Sequence, residues 1–332
     1  MSLVPPTLAD IYQARSRLHG LLPRTPLAAY PALGREAGLD LFIKHENHLP
    51  TGAFKVRGGM NLIGTLAEQQ RDLRVITAST GNHGQSIAMA SRQHGVPCTM
   101  VVPMGNNPDK NAAMRGFGAD VVEHGRDFDE AREECERRVA AGGVHYVHSA
   151  NEPLLIAGVG TYALEIFEEL PAIDVIFVAI GGGSGASGLV TVRNALGAAT
   201  RIIGVQAANA DAFARSWRSG TRVIGERADT FAEGVATRVT FDLPFGILAQ
   251  NADRRGLDDI VTLSEAQLEE GVRLALQGTH NLAEGAGAAA LMAAWTQRHA
   301  LAGKRVVCVM SGGNLNLATL QRIIAPALAT RS

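Results

Sequence analysis

The sequence predicts an α/β protein of two lobes, each an open, mostly parallel sheet covered by helices, and three observations carry that prediction. Short apolar runs of strand length recur between segments of helix length. Those runs are apolar throughout rather than alternating, as strands covered on both faces by crossover helices must be. Several of them end in glycine-rich turns that open the next helix, the usual construction of a parallel sheet's carboxyl edge. With 332 residues, 46% hydrophobic and 19% charged, the chain can fill two domains or one large α/β body.

Taken in order, the capping-box pattern Thr7-x-x-Asp10 opens a helix that runs to about His19, and residues 39–44 read as a strand. Strand patterns follow at 74–78, 98–103, 120–123, 174–180, 201–206 and 305–310. Helical patterns at 84–94, 128–141, 154–170 and 264–277 separate them. Residues 221–259 show weak periodicity and several breakers, and read as loops and short elements. No internal repeat and no low-complexity linker interrupts the chain. The division this suggests is a smaller lobe, 49–148, inserted into a larger one formed by 1–48 and 149–332.

Composition narrows the ligand. Lysine plus arginine (31) nearly balance aspartate plus glutamate (32), with no block of like charge, so neither a nucleic-acid face nor an anionic-membrane patch is expected. A small molecule is the expected partner. Cys98, Cys135 and Cys308 have no metal-ligand or CxxC spacing and read as reduced thiols in the cytoplasm. The N-terminus lacks a basic segment followed by an apolar one, and no apolar run approaches the roughly 18 residues that span a bilayer. Export by that route and membrane spanning are not expected.

The run Thr51-Gly52-Ala53-Phe54-Lys55-Val56-Arg57-Gly58-Gly59 sets one lysine beside an aromatic ring, with glycines where backbone could approach a flat ligand. An exposed lysine, with a pKa of about 10, is a poor nucleophile at neutral pH. Desolvated beside a second cation such as Arg57, its neutral amine is favoured and can condense with an aldehyde. A solvated lysine on the first turn of a helix is the other reading of this run.

Three strand-ending turns bear on that choice. Gly181-Gly182-Gly183-Ser184-Gly185-Ala186-Ser187-Gly188 lets successive backbone N–H groups converge on an anion at a helix N-terminus, and suits a monophosphate. It lacks Gly-Lys-Ser/Thr, which disfavours a P-loop. It does hold a GxGxxG, but the next strand ends in Gln206 where a dinucleotide fold needs an acid for the ribose. Close packing of helix on strand is the bland alternative. Ser79-Thr80-Gly81-Asn82-His83 offers hydroxyls and amides for a carboxylate, or simply caps a helix. Ser311, in Ser311-Gly312-Gly313-Asn314, places a neutral hydroxyl at the end of a buried strand, where it is a cofactor contact or a cap.

A reactive lysine, a monophosphate cradle and a carboxylate cradle are together what an amino-acid enzyme using pyridoxal 5'-phosphate requires. Thr51–Gly59, Ser79–Gly84, Gly181–Gly188 and Ser311–Asn314 resemble, in order, the signature segments of the threonine dehydratase and serine racemase family, fold type II of the pyridoxal-phosphate enzymes, built like the tryptophan synthase β chain. The likeness extends through Asn151-Glu152-Pro153, Gly160-Thr161 and Glu284-Gly285. It implies that Lys55 is the Schiff-base lysine and proton carrier with Phe54 beside the cofactor, and that Asn82 donates to the ring hydroxyl. It further implies that Ser79, Thr80, Asn82 and His83 receive the substrate carboxylate, that Gly181, Gly182, Gly183, Ser184 and Gly185 hold the phosphate, and that Ser311 faces the pyridine nitrogen.

A serine there, unlike a carboxylate, need not keep that nitrogen protonated, so the ring is a weaker electron sink. Such a ring suits loss of a β substituent as the α proton departs. The implied product leaves as an enamine, becomes an imine and hydrolyses to a 2-oxo acid and ammonia. Relatives imply a homo-oligomer, dimer or tetramer, and the larger lobe as the cofactor-binding one. Four positions depart from the pattern: Ser184 stands where many relatives have glycine, Thr80 where racemising members carry serine, and Gln206 and Ala212 where metal-activated members carry acids. No metal site is therefore expected. The chain ends soon after the third turn's helix, so no isoleucine-regulated domain is expected and a catabolic role is implied.

L-Threonine and L-serine are the default substrates, with a bulkier or acidic one such as 3-hydroxyaspartate open. Arg132, four residues before Glu136, could meet a second carboxylate but reads better as a solvated helix pair. A serine or aspartate racemase, another β-elimination or β-replacement enzyme, and a binding module without chemistry are the alternatives.

Overall fold

The computed structural model describes residues 3–126, 128–250 and 255–329. Its strands are β1 (Leu27–Ala29), β2 (Asp40–His45), β3 (Val75–Ala78), β4 (Cys98–Val102), β5 (Asp120–Glu123), β6 (His145–Tyr146), β7 (Val175–Ala179), β8 (Arg201–Ala207), β9 (Asp259–Leu263) and β10 (Arg305–Met310). They form two sheets, a six-stranded one in the order β1-β2-β10-β7-β8-β9 and a four-stranded one in the order β5-β4-β3-β6. Every pairing is parallel except β1 with β2.

The uninterrupted apolar strands have a direct physical cause. In β10, Val306, Cys308 and Met310 enter one core while Val307 and Val309 enter the core on the opposite face of the same sheet. In β4, Met100 and Val102 face one core and Val101 another. Each strand alternates sides, and both sides are dry.

Helix boundaries follow local chemistry. Thr7 caps the helix Leu8–Leu18 in a reciprocal capping box with Asp10, and Ser264 does the same with Gln267 for Glu265–Thr279. Within residues 221–259 the structure adds a short 3-10 turn, Glu233–Val235, and the helix Asp242–Leu248. The helix Gly285–Thr296 carries no helical signal in the sequence because it is apolar on every side, and residues 285–294 are all buried.

The helix Lys55–Gln69 lies between the two sheets' helical layers. A Cβ on Gly58 would stand 2.8 Å from the Leu155 carbonyl oxygen in the helix Pro153–Glu169, and one on Gly59 would stand 2.8 Å from the Ser86 carbonyl oxygen in the helix Asn82–His94. These glycines therefore seat a helix against helices on both sides. Their closeness serves protein backbone, not the flat ligand that the sequence suggests.

Candidate active site

Because β2, β10 and β7 are successive neighbours in one parallel sheet, the segments leaving their carboxyl ends emerge together. The segment after β2 is stitched to the turn after β10. Phe54 donates its N–H to the Ser311 carbonyl (3.0 Å), Gly313 donates to the Gly52 carbonyl (2.9 Å), and Ala53 pairs with Gly312 as an isolated bridge. This stitching delivers Lys55 as the first residue of its helix, half-buried, with its ammonium 5.4 Å from the Phe54 ring centre. Burial lowers the Lys55 pKa to about 8, and the negative charge of Glu284 opposes the fall.

Arg57 is not the second cation that the sequence suggests. Its guanidinium points away into a buried cluster, bonding Glu46 (2.7 and 2.9 Å), Glu165 (2.7 and 2.9 Å), Thr161 (3.1 Å) and Thr25 (3.3 Å). Lys44 donates to Glu165 in the same cluster at 2.6 Å. Burial pushes the Glu165 carboxyl up, but the charges of Arg57 and Lys44 hold it below the ordinary range. Two residues apart in sequence, Lys55 and Arg57 thus serve opposite faces: one opens to the cleft and the other ties its helix down. Desolvation alone lowers the lysine.

The turn after β7 is built for close approach. Gly183 sits in the left-handed region (φ 89) as N-cap of the helix Ser184–Ala195, and no side chain caps that helix. A Cβ on Gly183 would stand 2.7 Å from Pro244 Cβ, one on Gly182 3.1 Å from Ala150 Cβ, and one on Gly181 would collide with the Gly234 carbonyl oxygen. Gly185 faces the Phe54 ring, 3.4 Å from where its Cβ would be, and its carbonyl accepts from the buried Tyr162 hydroxyl at 2.9 Å. Ser184 is buried at the first helical position. An uncapped helix N-terminus behind a side-chain-free turn, within one aromatic ring of an amine, fits a phosphorylated aldehyde. Gly181→Ala is accordingly expected to weaken pyridoxal phosphate binding by at least about tenfold, since overpacking a rigid site costs roughly 1–3 kcal/mol. Titration of the cofactor's absorption band against the variant checks this.

Ser311 is buried and caps no helix; its hydroxyl donates weakly to the Ala286 carbonyl at 3.3 Å. On the smaller sheet, β3 leads into the third element of the site. Ser79 is buried and its oxygen accepts from the N–H groups of Gly84 (2.8 Å) and Gly81 (3.3 Å), leaving its own proton to donate. The half-buried Thr80 hydroxyl has no hydrogen-bond partner among the described residues. Asn82 begins the helix Asn82–His94, whose N-cap Gly81 supplies no side-chain cap.

His83 turns inward, with Nε2 3.2 Å from the Thr77 hydroxyl. Burial, followed by the charges of Lys55 and His148, lowers its pKa to about 3, so it is neutral. The folded protein therefore refuses a proton that the unfolded chain accepts below the ordinary 6.5. This contribution to stability is present above that pH and is lost as pH falls toward 3. The urea midpoint is expected to drop over that window, and His83→Gln to flatten part of the drop.

Residues that the sequence did not single out for roles complete the cleft. Glu284, between the Gly312 turn and the helix Gly285–Thr296, is buried and accepts from Asn82 Nδ2 at 2.8 Å. Burial pushes its carboxyl up to about 7, opposed by the Lys110 charge and the Asn82 bond, while the Glu233 charge adds to the rise. Lys110 of the helix Pro108–Gly116 forms an ion pair with Glu233 beside Gly81, joining elements packed on the two sheets. Asn314 donates to Asn82 Oδ1 (2.7 Å) and to the Thr51 carbonyl (2.8 Å). The only sequence signal for these was that Glu284-Gly285 and Asn314 fall in the resembling segments. Gln206 is spent internally, on the Ile180 carbonyl and the Ala214 N–H. Arg132 pairs with Glu136 on an exposed helix face.

Among the described residues no helix is long and apolar enough to cross a membrane. Residues 19–312 match the family model "Pyridoxal-phosphate dependent enzyme". An L-threonine ammonia-lyase of Thermotoga maritima is 36% identical over 322 residues, 97% of this chain and 79% of that protein. An L-threo-3-hydroxyaspartate ammonia-lyase of Saccharomyces cerevisiae is 31% identical over 324 residues, 97% of this chain and 98% of its own length. The solved structure of maize serine racemase superposes with a TM-score of 0.87 at 26% identity, covering 99% of each chain. With the Lys55 segment, the bare Gly181–Gly185 turn and the Ser79–His83 loop brought together through Phe54, Asn314 and Glu284, and with these likenesses spanning nearly its whole length, the chain belongs to the pyridoxal-phosphate dependent enzymes, in the group of the threonine dehydratases and serine racemases.

Proposed function

We propose that the protein dehydrates and deaminates a β-hydroxy amino acid, L-threonine, L-serine or 3-hydroxyaspartate, releasing a 2-oxo acid and ammonia. The observation that carries this reading is the desolvated Lys55, near pKa 8, one aromatic ring from the Gly181–Gly185 turn, while a neutral Ser311 follows the strand adjoining that turn's own. Bound there, pyridoxal phosphate supplies an aldehyde for the substrate's amine and a conjugated ring that spreads the electrons left by the α proton.

The chain's residues do the rest. The turn Gly181 to Gly185, through its backbone N–H groups and the Ser184 hydroxyl, would hold the phosphate. The Phe54 ring lies against Gly185 and sets an apolar surface between that turn and Lys55. Lys55, with an appreciable neutral fraction near pH 8, takes the α proton. Ser79, Thr80 and the N–H groups that open the helix Asn82–His94 receive the α-carboxylate, with His83 fixed as a neutral buttress behind the loop. Asn82 offers an N–H to the ring hydroxyl. Ser311 offers the ring nitrogen a hydroxyl rather than a carboxylate, which favours expulsion of the β-hydroxyl over a long-lived carbanion. We place the lobe boundaries at 1–48 with 149–332, and 49–148. The three buried free thiols support a reducing, cytoplasmic setting.

A panel of β-hydroxy amino acids, assayed for 2-oxo acid and ammonia with the purified holoenzyme, tests the reading. Release of both from threonine, serine or hydroxyaspartate is expected, with a borohydride-stable pyridoxyl group on Lys55. No product from any of them, or no uptake of pyridoxal phosphate, rejects it. The unpartnered Thr80 hydroxyl favours one secondary activity, racemisation, with Thr80 as the acid on the face opposite Lys55. If so, Thr80→Ala abolishes inversion of recovered substrate; inversion that persists removes Thr80 from that role.

A further inference from the structure

Asn82, Asn314 and Glu284 come from three separate segments and form one directed chain of hydrogen bonds. Asn314 Nδ2 donates to the Thr51 carbonyl at 2.8 Å and lies 2.7 Å from Asn82 Oδ1; Asn82 Nδ2 in turn donates to Glu284 Oε1 at 2.8 Å. One end of the chain is the Thr51 carbonyl, which can only accept, and the other is the Glu284 carboxylate, which only accepts while it is ionised. An amide can be turned over without changing its shape, but turning Asn82 over would set its oxygen against the Glu284 carboxylate and its nitrogen against the Asn314 nitrogen, acceptor on acceptor at one end and donor on donor at the other. The arrangement fixes the oxygen of Asn82 toward Asn314 and its nitrogen toward Glu284. One of the two amide hydrogens is then spent, and the other is free.

We propose that Glu284 is a positioning residue: as the terminal acceptor of this chain it fixes which way the Asn82 amide faces, so that an N–H meets the hydroxyl oxygen of the pyridoxal ring. This rests on the reading of Asn82 as the donor to that oxygen. A reversed Asn82 would present its carbonyl there, two acceptors in contact, and a bond would become a repulsion.

The fold makes room for this carboxylate at a cost. A Cβ on Gly312 would stand 2.7 Å from Glu284 Oε1, so a side chain there would push the carboxylate away from Asn82. Burying an acid is unfavourable unless it is compensated. The compensation here is the Asn82 bond and the surrounding charges: Lys55 and Lys110 favour the ionised form, while Glu233 opposes it. An apolar residue would fill the same space without that cost, but it would give Asn82 no direction.

The test uses cofactor affinity and the visible absorption band of the bound cofactor, with turnover as a third readout. Glu284→Met removes the acceptor and keeps the bulk. It is expected to raise the dissociation constant for pyridoxal phosphate roughly tenfold, the cost of one misdirected hydrogen bond, and to move the band. Glu284→Gln, whose amide oxygen can still accept, is expected to recover most of both. In an Asn82→Ala background the Glu284→Met change is expected to add nothing, because the group it orients is gone. Asn314→Leu, which loosens the other end, should act in the same direction and stands in if Glu284→Met does not fold. Wild-type affinity and an unmoved band in Glu284→Met, or full additivity with Asn82→Ala, would overturn the proposal. Failure of the wild-type chain to bind pyridoxal phosphate would instead overturn the functional reading beneath it.

Discussion

Lys55→Ala is expected to lower 2-oxo acid formation by at least about 10³-fold while the protein still folds and still binds pyridoxal phosphate reversibly. Removal of a positioned acid or base alone costs typically 10²- to 10⁴-fold, and this residue is also proposed to hold the cofactor covalently. Folding should survive because the side chain faces the cleft and its helix is tied down elsewhere, by Arg57 and by the bond from the Ser86 hydroxyl to the Lys55 carbonyl at 2.6 Å. The measurement pairs steady-state rates with borohydride reduction and peptide mass analysis. The wild type should carry the label on the Lys55 peptide and the variant should carry none. Residual turnover above about a tenth of wild type would assign the proton transfer to another group.

Arg57→Met should show the opposite profile, a large loss of stability. Its guanidinium serves two buried carboxylates at once, and Met leaves Glu46 with no cation and Glu165 with Lys44 alone. Breaking a buried pair from one side costs about 3–5 kcal/mol. A urea midpoint read at unchanged slope measures it. Arg57→Lys is expected to recover only part, because an ammonium cannot reproduce the planar fork that reaches both acids and two threonines. A loss below about 1 kcal/mol would show that the cluster relaxes or hydrates when opened.

These two residues also mark how far the sequence could be read. The strand runs, the glycine turns and the identity of the key lysine were legible because each rests on local composition: a doubly covered strand must be apolar throughout, and a turn without side chains must be glycine. The direction of Arg57 was not legible. Its partners Glu46 and Glu165 lie in other elements, and nothing in Lys55-Val56-Arg57 tells which side chain faces the cleft and which the interior. Gly58 and Gly59 look like room for a ligand until the helices on either side are in place. Glu284 is the clearest case. A lone acid before an alanine-rich stretch has no periodic signal, its place in a resembling segment assigns it no role, and only the fold brings it within reach of Asn82, 202 residues away in the chain.

The two sheets divide the site between them. The segment bearing the amine and the glycine turn follow the two strands that flank β10 in the six-stranded sheet, whereas the loop from Ser79 to His83 follows a strand of the four-stranded one. Smaller-sheet residues around Asn82 can therefore drift toward a new amino acid while Asn82 and the larger sheet keep the cofactor's grip. A lineage with this plan can change its diet without relearning its chemistry.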